Sequence, residues 1–213
     1  TLKNLFFPKL TKRNNLENVY ISRLKSNRSP KFERELQSQL ISKGWKIAYL
    51  EEMDLITQFN IIHNAKAIMG IHGAGDDSHH WDWYEKNLLG AKFSHHPLNP
   101  QFQKAQVSLK DTTFSPGLSK SFDGNDEWYV FLNQPKDATI VYSIDGDKIL
   151  PSGNMLWMKD KNFGMGKNHP VAWHKKVGKG KTFYTSMGHS KEVWANPDFV
   201  SLIEEAIKWG YRK

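Results

Sequence analysis

The stretch Ala67-Ile-Met-Gly-Ile-His-Gly-Ala-Gly75 decides how this chain is read. Ala67–Ile71 is a short apolar run of the kind that forms a buried strand, and it stops at a His-Gly-Ala-Gly turn. Gly73 and Gly75 allow positive φ and a close backbone approach at that turn. Upstream, Asp54 can cap a helix whose inner face is Ile56, Phe59 and Ile62. Lys46–Leu50 reads as a strand. Before it, Ser29-Pro30 opens a helix with Phe32, Leu36 and Leu40 on one side, and Gly44 ends it. Val19–Ser22 reads as the first strand. A strand–helix–strand–helix–strand rhythm predicts parallel strands joined by right-handed crossovers. Ligands of such sheets bind beyond the carboxyl ends of the strands, which is where His72 and Asp76 fall.

Downstream, Asp76–Leu89 reads as a helix carrying Trp81, Trp83 and Tyr84, ended by Gly90. Gln106–Leu109, Glu127–Phe131 and Thr139–Ser143 are strand candidates. Val171–Lys175 and Thr182–Ser186, joined through Gly178 and Gly180, read as a late hairpin or adjacent strands. Asn196-Pro197 opens a last helix with Phe199, Leu202, Ile203, Ala206 and Ile207 inside.

Composition bounds the function. At 213 residues with 38% apolar and 24% charged, the chain can bury a core as one α/β domain. The net charge is +8, but the basic residues form no continuous run interleaved with aromatics, so we expect no nucleic-acid partner. No stretch is long and apolar enough for a membrane span. Without cysteine there is no disulfide, thiolate metal site or cysteine nucleophile. These features suit a cytoplasmic protein or a periplasmic or secreted one after processing, and they do not fix the oligomeric state.

The chemistry gathers in five clusters: His72–Asp77 with His79, His80 and Trp81–Trp83; His95-His96-Pro97; Asp126-Glu127-Trp128-Tyr129; His169–His174; and Gly188-His189-Ser190 with Trp194. They hold eight of the nine histidines. Imidazole titrates near neutrality, a neighbouring carboxylate can act as base or orient it, and an indole face suits a sugar ring. The set points to a small polyol or sugar partner. Taken singly, each such residue is as readily a packing group. There is no HExxH, GxSxG or Walker spacing, and scattered histidines leave room for a divalent metal without specifying one.

In this order, His72-Gly-Ala-Gly-Asp76, Trp81-Asp-Trp-Tyr84, Leu89-Gly-Ala-Lys-Phe93, His96-Pro97, Asp126-Glu-Trp-Tyr129, His169-Pro-Val-Ala-Trp173, Gly180-Lys-Thr-Phe-Tyr184 and Gly188-His189 resemble the ThuA (trehalose utilisation) family over about residues 70–213. The resemblance implies an open, mostly parallel, Rossmann-like sheet of the class I glutamine amidotransferase (flavodoxin-like) kind, with added antiparallel strands and no cysteine nucleophile. It implies a bacterial-type carbohydrate-utilisation role on a disaccharide or keto-sugar. The catalytic candidates are His72, Asp76 and His189. The substrate-binding candidates are Trp81, Trp83, His96, Glu127, Trp128, His169 and Trp173.

Residues 1–75 differ. Val19-Tyr-Ile-Ser-Arg23, Arg28, Gly44-Trp45, Leu50-Glu-Glu52, Gln58 and Ala65–Gly75 resemble part of a glycosyltransferase family 61 domain. The chain therefore reads as a hybrid within one α/β domain, joined at the glycine turn. Two other functions follow from that reading: a sugar-binding module without turnover, and a glycosyltransferase-like remnant whose Arg23, Arg28 and His72 face a nucleotide-sugar diphosphate.

Overall fold

The computed structural model describes residues 17–25, 33–70, 82–150 and 166–212. It forms two compact units, residues 1–71 and 72–213.

The first unit follows the sequence rhythm. Strands β1 (Glu17–Ile21), β2 (Trp45–Ala48) and β3 (Ala65–Gly70) alternate with helices α1 (Glu33–Ser42) and α2 (Leu55–Asn64). The sheet order is β2-β1-β3 and both pairings are parallel, with Tyr20 beside Ile47 on one side and Met69 on the other. Gly44 leaves α1 at φ +79°, a left-handed conformation that costs a Cβ-bearing residue. Asp54 caps α2, its carboxylate accepting from the Thr57 N–H at 2.8 Å and the Thr57 hydroxyl at 3.1 Å. The expected inner face of α2 is only half covered: Ile56 and Phe59 are half-buried and Ile62 is exposed.

In the second unit the expectation of a mostly parallel sheet fails. Strands β5 (Gln103–Leu109), β6 (Ser121–Asp126), β8 (Thr139–Ile144), β9 (His169–Val177) and β10 (Gly180–Thr185) form one sheet ordered β10-β9-β8-β5-β6, every pairing antiparallel. Short strands β4 (Phe93–His95) and β7 (Val130–Phe131) pair separately, also antiparallel. The physical reason lies in the connections. A parallel pair needs a crossover of a dozen or more residues, usually helical, whereas β9 and β10 are joined directly by a tight turn with Gly178 at φ +58°. Parallel pairing is thus confined, among the described residues, to the first three strands.

Strand β6, Ser-Phe-Asp-Gly-Asn-Asp, was not expected. Its burial alternates, with Phe122, Gly124 and Asp126 inside. A Cβ on Gly124 would lie 3.2 Å from the Trp128 ring and 3.4 Å from Val107, so the glycine lets the indole cross the strand. The core gathers Val107, Phe122, Trp128, Val141, Tyr142 and Val171 against helix α4 (Pro197–Tyr211), which contributes the fully buried Phe199 and Leu202. A short helix α3 (Lys191–Ala195) precedes it. Asn196 caps α4 and Pro197 occupies its first turn, as its sequence predicts. A second cluster joins Leu89, Ala91, Tyr129, Phe131 and Trp173. Gly90, at φ +84°, closes the π-helical turn Tyr84–Leu89, its N–H donating to the Glu85 carbonyl at 2.8 Å.

Candidate functional site

Three segments of the second unit converge. The chain leaving β4 presents His96, the link between β6 and β7 presents Glu127, and the turn after β10 presents His189. The Glu127 side chain is 6% exposed. Its Oε1 lies 3.1 Å from His96 Nδ1 and its Oε2 lies 3.5 Å from His189 Nε2. His96 Nδ1 is also 3.0 Å from the Pro97 carbonyl. The Gln101 amide donates to Glu127 Oε1 as well. The Tyr129 ring lies 4.6 Å from the His189 ring and 5.9 Å from His96, and the Phe93 ring lies 4.6 Å from Tyr129. His96 is the most open of the three polar groups, at 27%.

The neighbouring carboxylate, Asp126, faces inward. It is fully buried and accepts from the N–H groups of Gly188 at 2.6 Å, Ser190 at 2.9 Å and His189 at 3.0 Å. Burial pushes its pKa up to about 6, against the pull of these N–H groups.

This arrangement offers a carboxylate bracketed by two imidazoles against aromatic rings. Such a set can take a proton from a hydroxyl or an acidic C–H and return one to a leaving oxygen. Among the described residues no group of three or more His, Asp or Glu stands where it could hold a metal ion.

The other sequence candidates fall elsewhere. Trp128 is fully buried and donates from Nε1 to the Gln103 carbonyl at 2.8 Å. Trp173 is 1% exposed and donates to the Leu89 carbonyl at 2.7 Å. His169 is fully buried, 2.6 Å from the Tyr129 carbonyl through Nε2, and burial lowers its pKa to about 4. A buried ring whose N–H is spent on a backbone carbonyl presents no face to a ligand, so these three pack the fold. Trp83 is half exposed at the start of the π-helical turn. His72, Asp76 and Trp81 lie outside the described residues. Gln101 was missed, because nothing in Pro-Gln-Phe announces an amide aimed at a carboxylate.

His174 belongs to a different place. It sits 3.4 Å from Asp111 and against Trp209, in an open cleft of about 610 Å³ that Lys176, Lys181 and Arg212 also line. Lys181 Nζ there donates to the carbonyls of Trp209 and Arg212, satisfying the carboxyl end of α4. No helix among the described residues is long and apolar enough to cross a membrane.

The fold and this cluster define a mixed α/β protein with a histidine–carboxylate site. Residues 51–210 match the ThuA family, described as trehalose utilisation, and the chain belongs to that family. Residues 2–77 match glycosyltransferase 61. The two matches overlap across residues 51–77, so the ThuA match begins upstream of the glycine turn at which the resemblances were expected to meet. A ThuA-like protein from Bacteroides uniformis ATCC 8492 shares the fold at a TM-score of 0.64 and 19% identity, over 95% of each chain. One from Parabacteroides merdae ATCC 43184 does so at 0.61 and 12% identity, over 94% of this chain and 93% of that one. The ThuA-like fold thus spans the amino-terminal unit too. No curated protein matches the chain.

Proposed function

We propose that this chain is a carbohydrate-utilisation enzyme acting on a disaccharide or keto-sugar at the His96–Glu127–His189 cluster. The observation behind this reading is the buried Glu127 carboxylate held between two imidazoles at 3.1 and 3.5 Å. A sugar hydroxyl or the C–H beside a keto group is a weak acid, and its proton needs a fixed acceptor within hydrogen-bond reach. Glu127 takes that role, His189 exchanges the proton with it, and the more open His96 meets the substrate first. His72 and Asp76, read from the sequence, are further catalytic candidates. The family's description as trehalose utilisation supports the substrate class. The test is a thermal-shift and turnover screen with trehalose and 3-keto disaccharides. A shift and product with wild type, both lost in His96→Ala and His189→Ala, is the expected result. A shift and product that survive both substitutions overturn the assignment. Affinity without product would make the chain a binding module.

The match of residues 2–77 to glycosyltransferase 61 favours a second reading, in which the amino-terminal unit binds a nucleotide sugar. Arg23 follows β1 at its carboxyl end, where parallel sheets take ligands. A thermal shift with nucleotide sugars alone, abolished by Arg23→Ala, would support it.

A further inference from the structure

We infer that Asp126 is the positioning residue of this site, holding the His189 imidazole against Glu127 through the backbone of the 188–190 turn. The inference rests on the reading above that His189 belongs to the site.

Asp126 itself cannot meet a ligand, since it is fully buried. Both its oxygens accept from one turn, Oδ2 from Gly188 and Oδ1 from His189 and Ser190, and the Glu127 N–H adds to them. Three successive N–H groups converging on one carboxylate form the kind of concave nest that binds anions, and here the anion is the protein's own. The opposite side of the turn is also fixed. Gly188 stands at φ +118° with Trp194 ring atoms 3.4 Å from where a Cβ would sit, and Trp194 Nε1 donates to the Gly188 carbonyl at 2.9 Å. Ser190 Oγ donates to the Asn125 carbonyl at 2.5 Å and accepts from Val193 N–H at 3.0 Å, capping α3.

Two consecutive acids therefore divide the labour. Asp126 holds the backbone of the turn, and Glu127 receives the side chain the turn presents. Among the described residues, the groups facing the His189 ring include Asp126 Oδ1, 3.8 Å from Nδ1, Glu127 Oε2, 3.5 Å from Nε2, and the Tyr129 ring. Across Glu127 stands His96. A shift of the turn by about 1 Å would take His189 out of reach of Glu127, and displacements of that size are enough to disable a site.

The test reads the imidazole directly and uses no ligand, so it can fail while the sugar reading stands, and the reverse. Side-chain nitrogen–proton correlation spectra of the full chain are recorded across pH 4–8 for wild type and Asp126→Asn. An Asn has one acceptor oxygen where the carboxylate has two, so it cannot accept from Gly188 on one side and His189 and Ser190 on the other, and the turn should move. The expected result is that the His189 ring signals shift and its titration midpoint moves by about half a pH unit or more, while the ring signals of His174, whose partner is Asp111, stay in their wild-type positions. A His189 midpoint unchanged in Asp126→Asn, with only the melting temperature lowered, would make Asp126 merely structural and overturn the inference. Wild type supplies a second reading should that variant fail to fold. The amide protons of Gly188, His189 and Ser190 should titrate together as Asp126 protonates, and the His189 ring should respond at the same midpoint. A ring that ignores the step seen in the three amides would equally overturn it.

Discussion

The two units solve the packing problem differently. The carboxy-terminal unit closes an antiparallel sheet over a dense apolar core, with Trp128, Val141, Val171, Phe199 and Leu202 essentially inaccessible. The amino-terminal unit has three parallel strands and a centre that is partly polar. There Glu33 is fully buried, and its Oε1 accepts from the Tyr20 hydroxyl at 3.0 Å, Ser22 Oγ at 2.9 Å and the Arg23 N–H at 2.6 Å. Gln37 extends that network to Ser22 and Tyr49, while Ile41, Leu55, Ile62 and Ile68 stay exposed. An apolar core tolerates no lost volume, and a polar centre tolerates no lost partner. The units should therefore fail under different substitutions.

The largest effect is expected in the apolar core. Trp128→Ala removes a ring at the heart of the second unit and should cost about 3–5 kcal/mol, read by urea denaturation. A cost of less than about 1 kcal/mol would show that the core collapses around the gap.

Next comes a pH effect within the same unit. The folded pKa of Asp126, about 6, exceeds its ordinary 3.8, so its contribution to stability is present below about pH 4 and is lost as pH rises through 6. His169 has the opposite sign. Its folded pKa, about 4, lies below its ordinary 6.5, so its contribution is present above pH 6.5 and is lost as pH falls through 4. Each is worth about 3 kcal/mol, so between pH 4 and 6 the two nearly cancel. Asp126→Asn should unmask the His169 slope, with stability rising from pH 4 to 6.5. His169→Gln should leave the reverse slope. Identical pH profiles for wild type and both variants would contradict the opposed burial of these groups.

In the amino-terminal unit, Glu33→Ala strands three donors around one site and should cost about 1–3 kcal/mol. Ile62→Ser, on the exposed face of α2, should change stability by less than about 0.5 kcal/mol. If Ile62→Ser proves the costlier of the two, the contrast between the units is wrong.

The amino-terminal unit was largely legible because its signals are local. Asp54 and Gly44 mark helix ends by chemistry that acts within a few residues, and the apolar spacing repeats with the helical turn. The antiparallel sheet was less so, since its pairing joins residues far apart in sequence. Ser121–Asp126 has almost no strand composition; it is a strand through its pairing with β5, and Gly124 leaves room there for the Trp128 ring. In the site, His96, Glu127 and His189 stood out in the sequence, and the structure brings them together. Trp128, Trp173 and His169 stood out equally, yet burial decides their role and burial is not written in residue type. Gln101 could not be foreseen, because its part depends on where a loop lays one amide.

The most direct test of the proposed site is calorimetric titration of a 3-keto disaccharide into wild type and Glu127→Gln, followed by a turnover assay on both. Gln keeps the shape and can still meet the imidazoles, but it cannot take up a proton. Binding within about threefold of wild type with turnover lowered at least about a hundredfold is the result we predict. Equal turnover in the two proteins would contradict the role assigned to Glu127.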